Sequence, residues 1–295
     1  MQSILPGDIT PDKISLSSFA KKEIEVTILR LDKIHSIISG NKWFKLRYYL
    51  EEAKQQKKKK IVTFGGAYSN HIVATAAACK MNRLKSIGII RGEEVSGLSP
   101  TLSQAKEMGM QLFFISRENY RNKIIPDEVR NDDHYLINEG GFGEKGAKGA
   151  ATILDHCEKD NFSHYCCAVG TGTMMAGLIN ASLAGQSVIG ISVMKNNFEL
   201  EENIISLITK ETNYRLIHDY HFGGYAKYTK TLIRFMNEFY RQTFIPSDFV
   251  YTGKLFYAIS DLIEKNYFLP RSRLLIIHSG GLQGNVSLGN GTLIF

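Results

Sequence analysis

The sequence predicts an α/β fold of two open, twisted parallel sheets with flanking helices. Short runs rich in β-branched and aromatic residues alternate with helix-length segments along nearly the whole chain. Several runs, such as KSIGIIRG and QLFFISRE, are apolar on consecutive residues, the pattern of strands buried on both faces of a parallel sheet. At roughly 150 residues per domain, a chain of 295 residues has room for about two domains.

The expected strands, in order, are Glu25–Leu31 (EVTILRL), Ile61–Phe64 (IVTF), Ser86–Arg91 (SIGIIR), Gln111–Ile115 (QLFFI), His134–Ile137 (HYLI), Ser163–Val169 (SHYCCAV), Ser187–Val193 (SVIGISV) and Arg273–His278 (RLLIIH). Helix-length segments lie between them, among them WFKLRYYLEEAK, IVATAAACK and MMAGLINASLAG. The polar stretch Arg117–Asp133 is the natural candidate for a connection between subdomains. There is no internal repeat.

Composition excludes several classes. A hydrophobic fraction of 43%, 22% charged residues, 26 Gly and only 6 Pro do not fit collagen-like or Pro-rich disordered chains. Four cysteines, Cys79, Cys157, Cys166 and Cys167, are too few for a disulfide scaffold and lack zinc-ligand spacing, so they read as reduced core thiols. No apolar run approaches the roughly 18 residues of a membrane span, and MQSILPGDITPDK lacks the features of a signal peptide. A cytoplasmic protein with no membrane partner is expected.

The net charge is +7, from 36 Lys and Arg against 29 Asp and Glu. Its densest part, Lys57–Lys60, sits between a helical pattern and a strand and carries no interleaved aromatics to stack bases. A solvated helix end accounts for it, and no nucleic-acid partner is expected. The remaining excess suits an anionic ligand.

Four segments stand where strands hand over to helices, the usual ligand-binding edge of open α/β sheets. In the first, Ser39–Gly40–Asn41–Lys42, the lysine opens a helix whose dipole favours anions, an awkward place for a structural cation. Partly desolvated there, Lys42 would have a lowered pKa and suit imine formation. A solvated lysine is the plainer alternative. The second, Gly65–Gly66–Ala67–Tyr68–Ser69–Asn70–His71, ends in free N–H groups that suit a carboxylate, although capping alone also explains Ser69 or Asn70.

The third, Gly170–Thr171–Gly172–Thr173, combines flexible backbone, hydroxyl donors and a following helix into a cup for one phosphate monoester. It matches neither nucleotide-binding glycine pattern, and a bare structural turn is the alternative. The fourth group comprises His221–Tyr225, Val250–Lys254 and His278–Gly281. Its tyrosines beside glycines could pack on a flat ring and supply a proton.

Taken together, GNKW, GGAYSNH, VGTGT, HFGGY, VYTGK and HSGG resemble, in this order, the pyridoxal-phosphate enzymes that include 1-aminocyclopropane-1-carboxylate deaminase and D-cysteine desulfhydrase, with the tryptophan-synthase-β-like fold. The likeness runs from about Ile24 to Gln283 and leaves Asn285–Phe295 beyond it. It implies pyridoxal 5′-phosphate in a cleft between a large domain (1–45 and 136–295) and a small one (46–135), and a homodimer. Lys42 would carry the cofactor as an imine, whereas Lys45, one turn on, does not occupy that motif position. Ser69 would meet the substrate as nucleophile or proton carrier, Asn70, His71, Ser279 and Gly280 would help bind it, with Asn70 also at the cofactor's 3-hydroxyl side, and Gly170, Thr171, Gly172 and Thr173 would bind the phosphate. Tyr225 and Tyr251 match the family's two active-site tyrosines, although HFGGY is one residue shorter before its tyrosine than the deaminase pattern.

Two positions separate the branches. Where the deaminases carry Glu facing the pyridine nitrogen this chain has Thr252, and where they carry Leu it has Ser279, followed by Gly280. A hydroxyl cannot keep the nitrogen protonated as a carboxylate does. Losing a good β-leaving group demands less of the ring as electron sink, so both departures favour the desulfhydrase branch. The expected activity is conversion of D-cysteine, or a similar small D-amino acid, to pyruvate, ammonia and hydrogen sulfide. Deamination of 1-aminocyclopropane-1-carboxylate to 2-oxobutanoate and ammonia is the nearest alternative, and a non-catalytic binding protein a more distant one.

Overall fold

The computed structural model describes residues 9–35, 37–94 and 97–295. The first eight residues, part of the stretch read as carrying no signal peptide, lie outside them. The strands are β1 (Pro11–Ile14), β2 (Glu25–Arg30), β3 (Lys60–Gly65), β4 (Lys85–Arg91), β5 (Met110–Ile115), β6 (His134–Ile137), β7 (His164–Val169), β8 (Ser187–Ser192), β9 (Asn213–Ile217) and β10 (Arg273–His278). The helices are α1 (Ser17–Lys21), α2 (Asn41–Gln55), α3 (Asn70–Met81), α4 (Pro100–Glu107), α5 (Arg117–Arg121), α6 (Glu144–Ala151), α7 (Thr173–Ala181), α8 (Leu200–Ile205), α9 (Lys230–Thr243) and α10 (Thr252–Glu264).

Two sheets result. The larger has the order β1-β2-β10-β7-β8-β9 and the smaller β5-β4-β3-β6. All pairings are parallel except β1 with β2. Each of the eight expected strands is present. The two additional ones, β1 and β9, are the edges of the larger sheet, and each carries polar residues through its length: PDKI and NYRLI. An edge strand buries too little to show a continuous apolar run.

The stretch Arg117–Asp133 corrects one expectation. It leads from β5 through α5 to β6, so both of its ends lie in the smaller sheet and it does not join the two. The chain leaves that sheet only after Ile137, two residues beyond the expected boundary at 135/136.

Local chemistry accounts for the helix ends. Ser69 caps α3 by accepting the Ile72 N–H at 3.4 Å, Ser99 caps α4 just before Pro100, and Thr229 accepts the Leu232 N–H at 3.3 Å at the start of α9. Past the end of α2, Lys57 turns into the left-handed region at φ 56° and the Lys58 N–H returns to the Ala53 carbonyl at 2.8 Å. The lysine run is thus a helix stop leading into β3.

The apolar helices pack between and beside the sheets. Buried α2, α3, α6 and α7 residues, including Phe44, Leu46, Ala77, Ala150 and Leu178, form one cluster with Leu29, Tyr165 and Ile277 from the larger sheet and Ile61 and Ile137 from the smaller. The tail from Asn285 is structural. The Asn285 amide bonds the Ser247 carbonyl at 3.0 Å, and Phe295 packs on Tyr240 of α9 with ring centroids 4.6 Å apart. All four cysteines are free, three of them buried, and burial pushes the Cys79 thiol up to about 12. Among the described residues, no helix is long and apolar enough to cross a membrane.

Candidate active site

The loops after β3, β6, β7 and β10 approach one another at the carboxyl ends of their strands: Gly141 lies near His71, Gly140 near Thr171 and Gly281 near Asn70, and those after β3, β7 and β10 carry residues singled out above. Lys42 enters from α2. Its position is set by a close crossing of two chains. Gly40, at φ +65°, lies so near Ser279 that a Cβ there would stand 1.7 Å from the Ser279 carbonyl oxygen. That carbonyl accepts the Asn41 N–H at 3.2 Å, while Ser39 Oγ accepts the Gly281 N–H at 3.2 Å. The loop that launches Lys42 is therefore laced to the Ser279–Gly281 loop after β10.

Lys42 has one hydrogen-bond partner among the described residues, the Asn41 side-chain oxygen at 3.2 Å. Burial lowers its pKa to about 8, so a substantial fraction is neutral amine near physiological pH. One turn on, Lys45 is buried and, among the described residues, reaches only the Gly140 carbonyl, at 3.4 Å. Burial, and then the Lys42 ammonium, hold it well below the ordinary lysine value.

Ser69, Asn70 and His71 open α3 directly after Gly65–Ala67. The Asn70 side-chain oxygen and His71 Nδ1 are buried without hydrogen-bond partners among the described residues, an arrangement that folding alone penalises. His71 Nε2 meets the Thr63 hydroxyl at 2.8 Å. Burial, reinforced by Lys42 and Lys45, keeps the imidazole well below its usual pKa and so neutral.

The third segment forms a cup. Gly172, left-handed at φ +82°, precedes α7, and the Thr171 and Thr173 hydroxyls lie 3.0 Å apart. Tyr251 closes one side, 3.3 Å from where a Gly170 Cβ would be. Tyr225 stands against Tyr251 with ring centroids 6.0 Å apart and planes at 72°. Burial raises both phenols, Tyr251 well above its ordinary value.

Thr252 begins α10, fully buried. Its hydroxyl donates to Asp248 Oδ1 at 2.7 Å and accepts the Asp248 N–H at 2.8 Å. The Asp248 carboxylate also accepts the N–H groups of Val250, Tyr251 and Thr252, each at 2.9 Å. Burial is the largest influence on Asp248 and pushes its pKa up, while these donors pull the other way.

Ser279 crosses Gly40 beside Lys42, Tyr225 stands against Tyr251, and Tyr251 lies against Gly170. Gly281, beside Gly280, approaches Asn70 and Asp248, and Gly141 approaches both Lys45 and His71. Two contributors were passed over. Asp248 announced itself only as an Asp just ahead of an apolar helix, an ordinary capping signal. The Glu139–Gly141 turn follows β6 as the other loops follow their strands, and its Gly140–Gly141 pair was a readable sign.

A pyridoxal-phosphate dependent enzyme model matches residues 13–280, nearly the whole chain. The chain belongs to that family. Its members use pyridoxal phosphate, and the residues present here fit that cofactor: a lysine of lowered pKa, two buried polar atoms at the start of α3 with no hydrogen-bond partner among the described residues, and two threonine hydroxyls 3.0 Å apart at the start of α7.

Among relatives in this family, the chain is 30% identical to a Pyrococcus abyssi protein described as "Putative 1-aminocyclopropane-1-carboxylate deaminase", over 88% of this chain and 86% of that one. It is 27% identical to the bifunctional D-cysteine desulfhydrase/1-aminocyclopropane-1-carboxylate deaminase of Arabidopsis thaliana, covering 88% and 73% respectively. It is 24% identical to D-cysteine desulfhydrase of Salmonella typhi, over 87% of each chain. The crystal structure of an ACC deaminase homologue superposes with a TM-score of 0.82 at 26% identity, covering 96% of this chain and 92% of that one. The fold is thus the tryptophan-synthase-β-like fold.

Proposed function

We propose that the protein is a pyridoxal-phosphate lyase acting by β-elimination on D-cysteine or a similar small D-amino acid. With one water taken up, the products from D-cysteine are pyruvate, ammonia and hydrogen sulfide. When bound, the cofactor supplies the electron sink for the carbanion left by loss of the substrate's α-proton. The chain does the rest. Lys42 Nζ holds the cofactor and, with a pKa of about 8, can accept and return that proton. The first turn of α3, with Ser69 and Asn70, receives the substrate carboxylate, and Gly170–Thr173 hold the phosphate. Tyr225 and Tyr251, with phenols raised by burial, keep their protons and can donate to a leaving group.

One observation carries the choice of reaction. By the family resemblance Thr252 would face the ring nitrogen; its hydroxyl donates its hydrogen bond to Asp248, and four donors fill the Asp248 oxygens. A carboxylate has about four acceptor directions, so Asp248 has none left, and the one remaining lone pair of the neutral Thr252 hydroxyl holds a protonated ring nitrogen less well than a carboxylate would. A weaker sink suffices for expelling hydrosulfide more readily than for opening a cyclopropane. The deaminase reading draws its support from the Pyrococcus abyssi relative and the superposed homologue.

Side-by-side ketoacid release from D-cysteine, L-cysteine, D-serine and 1-aminocyclopropane-1-carboxylate tests the proposal. D-Cysteine is expected to exceed the cyclopropane substrate by at least about a hundredfold in kcat/KM. Ready deamination of the cyclopropane substrate with no pyruvate from D-cysteine would invert the ranking. Absence of both products would favour a binding protein.

A further inference from the structure

A third lysine with an unusual setting, after Lys42 and Lys45, lies outside the chemistry described so far. Lys254 is fully buried in the first turn of α10. Its Nζ donates to the Gly224 carbonyl at 2.7 Å, the His221 carbonyl at 2.8 Å and, more weakly, the Val193 carbonyl at 3.4 Å. An ammonium has three protons, and all three point at backbone oxygens.

Packing alone does not explain a lysine here. Burying an unpaired ammonium is costly, and a helix start repels positive charge. An aliphatic side chain would serve α10 equally well while leaving the three carbonyls without this donor. The charge therefore serves the carbonyls, two of which belong to one turn. That turn closes on itself through Gly224 N–H to the His221 carbonyl at 3.0 Å and Gly223 N–H to His221 Nδ1 at 3.0 Å. The third carbonyl, Val193, continues β8 at the floor of the larger sheet, and its own N–H bonds Val169 at 3.1 Å. Tyr225 is the next residue after the turn, and Tyr251 precedes Lys254 by three on the same helix start.

We infer that Lys254 is a positioning residue whose ammonium fixes the His221–Gly224 turn and thereby sets Tyr225 against Tyr251. The inference rests on Tyr225 handling a proton in the proposed reaction. Lys254 touches neither substrate nor cofactor in this role. Its lowered pKa, about 8 from burial, fits an ammonium kept by its three acceptors in a setting that resists charge.

The experiment uses the cofactor-loaded enzyme and four variants: Lys254→Met, Tyr225→Phe, the two combined, and Lys254→Ala. Lys254→Met is expected to speed amide exchange at Phe222–Gly224 by about tenfold or more, while the absorbance of the bound cofactor is unchanged. Its kcat should fall to about that of Tyr225→Phe, roughly a hundredfold below wild type, and the combined variant should fall no further. Methylammonium should restore kcat to Lys254→Ala, which also decides the matter if Lys254→Met fails to fold. Unchanged exchange at Phe222–Gly224 would overturn the inference, as would fully additive losses or no rescue by the amine. If Tyr225→Phe keeps full turnover, the proton role of Tyr225 is lost, yet the exchange measurement at Phe222–Gly224 still decides whether Lys254 holds the turn.

Discussion

His71 Nε2 lies 2.8 Å from the Thr63 hydroxyl, which has only the Ile137 carbonyl, 2.7 Å away, to receive its single proton. The hydroxyl must therefore accept from the imidazole, which fixes the proton on Nε2 and leaves Nδ1 as a bare acceptor in the cleft. Thr63 joins β3 to β6 at the same register position, so a sheet contact sets the tautomer of a site residue.

A pH dependence follows. The folded-state pKa of His71 is depressed, so the unfolded chain binds its proton first as pH falls through about 6.5. Stability from this group is complete above that pH and is lost below it, at up to about 1.4 kcal/mol per pH unit. Thermal unfolding of wild type and His71→Gln between pH 7.5 and 5 measures it: the variant should show the shallower decline. Thr63→Val should cost about 1–3 kcal/mol by stranding the Nε2 proton.

Gly40→Ala is expected to be among the most damaging single-methyl additions in the chain. The added carbon would fall 1.7 Å from the Ser279 oxygen at a positive φ, so both loops must part. A loss of at least about 3 kcal/mol in denaturant unfolding is expected, together with weakened cofactor binding in a spectroscopic titration. Wild-type values for both would show that the crossing is not tight.

Replacing Thr252 by Glu together with Ser279→Leu should weaken D-cysteine elimination by at least about tenfold. The new carboxylate would sit against Asp248, and two buried like charges raise at least one pKa and disturb the turn. Unaltered elimination would remove these two positions from the choice of reaction.

Much of this was legible in the residues because the interior strands are apolar on consecutive positions and each site loop carries glycine or hydroxyl residues just past a strand. β1 and β9 were not, since edge strands such as PDKI and NYRLI resemble loops in composition. Asp248 and Lys254 escaped for other reasons. Asp248 bonds the 250–252 amides just ahead of α10, which is what any capping Asp does, whereas the Lys254 partners, the 193, 221 and 224 carbonyls, come from elsewhere in the chain. No local pattern encodes the distant partners of Lys254. The Arg117–Asp133 stretch misled because polarity marks exposure and says nothing of which sheet a segment returns to.

The amine of Lys42 should also betray itself kinetically. With a pKa of about 8 it is about one-tenth neutral at pH 7, against less than about a thousandth for an ordinary lysine. The rate at which cofactor-free protein captures pyridoxal phosphate should rise with pH and level off with a midpoint near 8. A rate still climbing at pH 10 would mean an unperturbed lysine.

The central claim is that Lys42, and not its buried neighbour Lys45, holds the cofactor. Borohydride reduction of the loaded protein followed by peptide mass mapping fixes the attachment point directly. The account requires the pyridoxyl group on Lys42, with Lys42→Ala unlabelled and Lys45→Met labelled as wild type. A label on Lys45, or an unlabelled Lys45→Met beside a labelled Lys42→Ala, would contradict it.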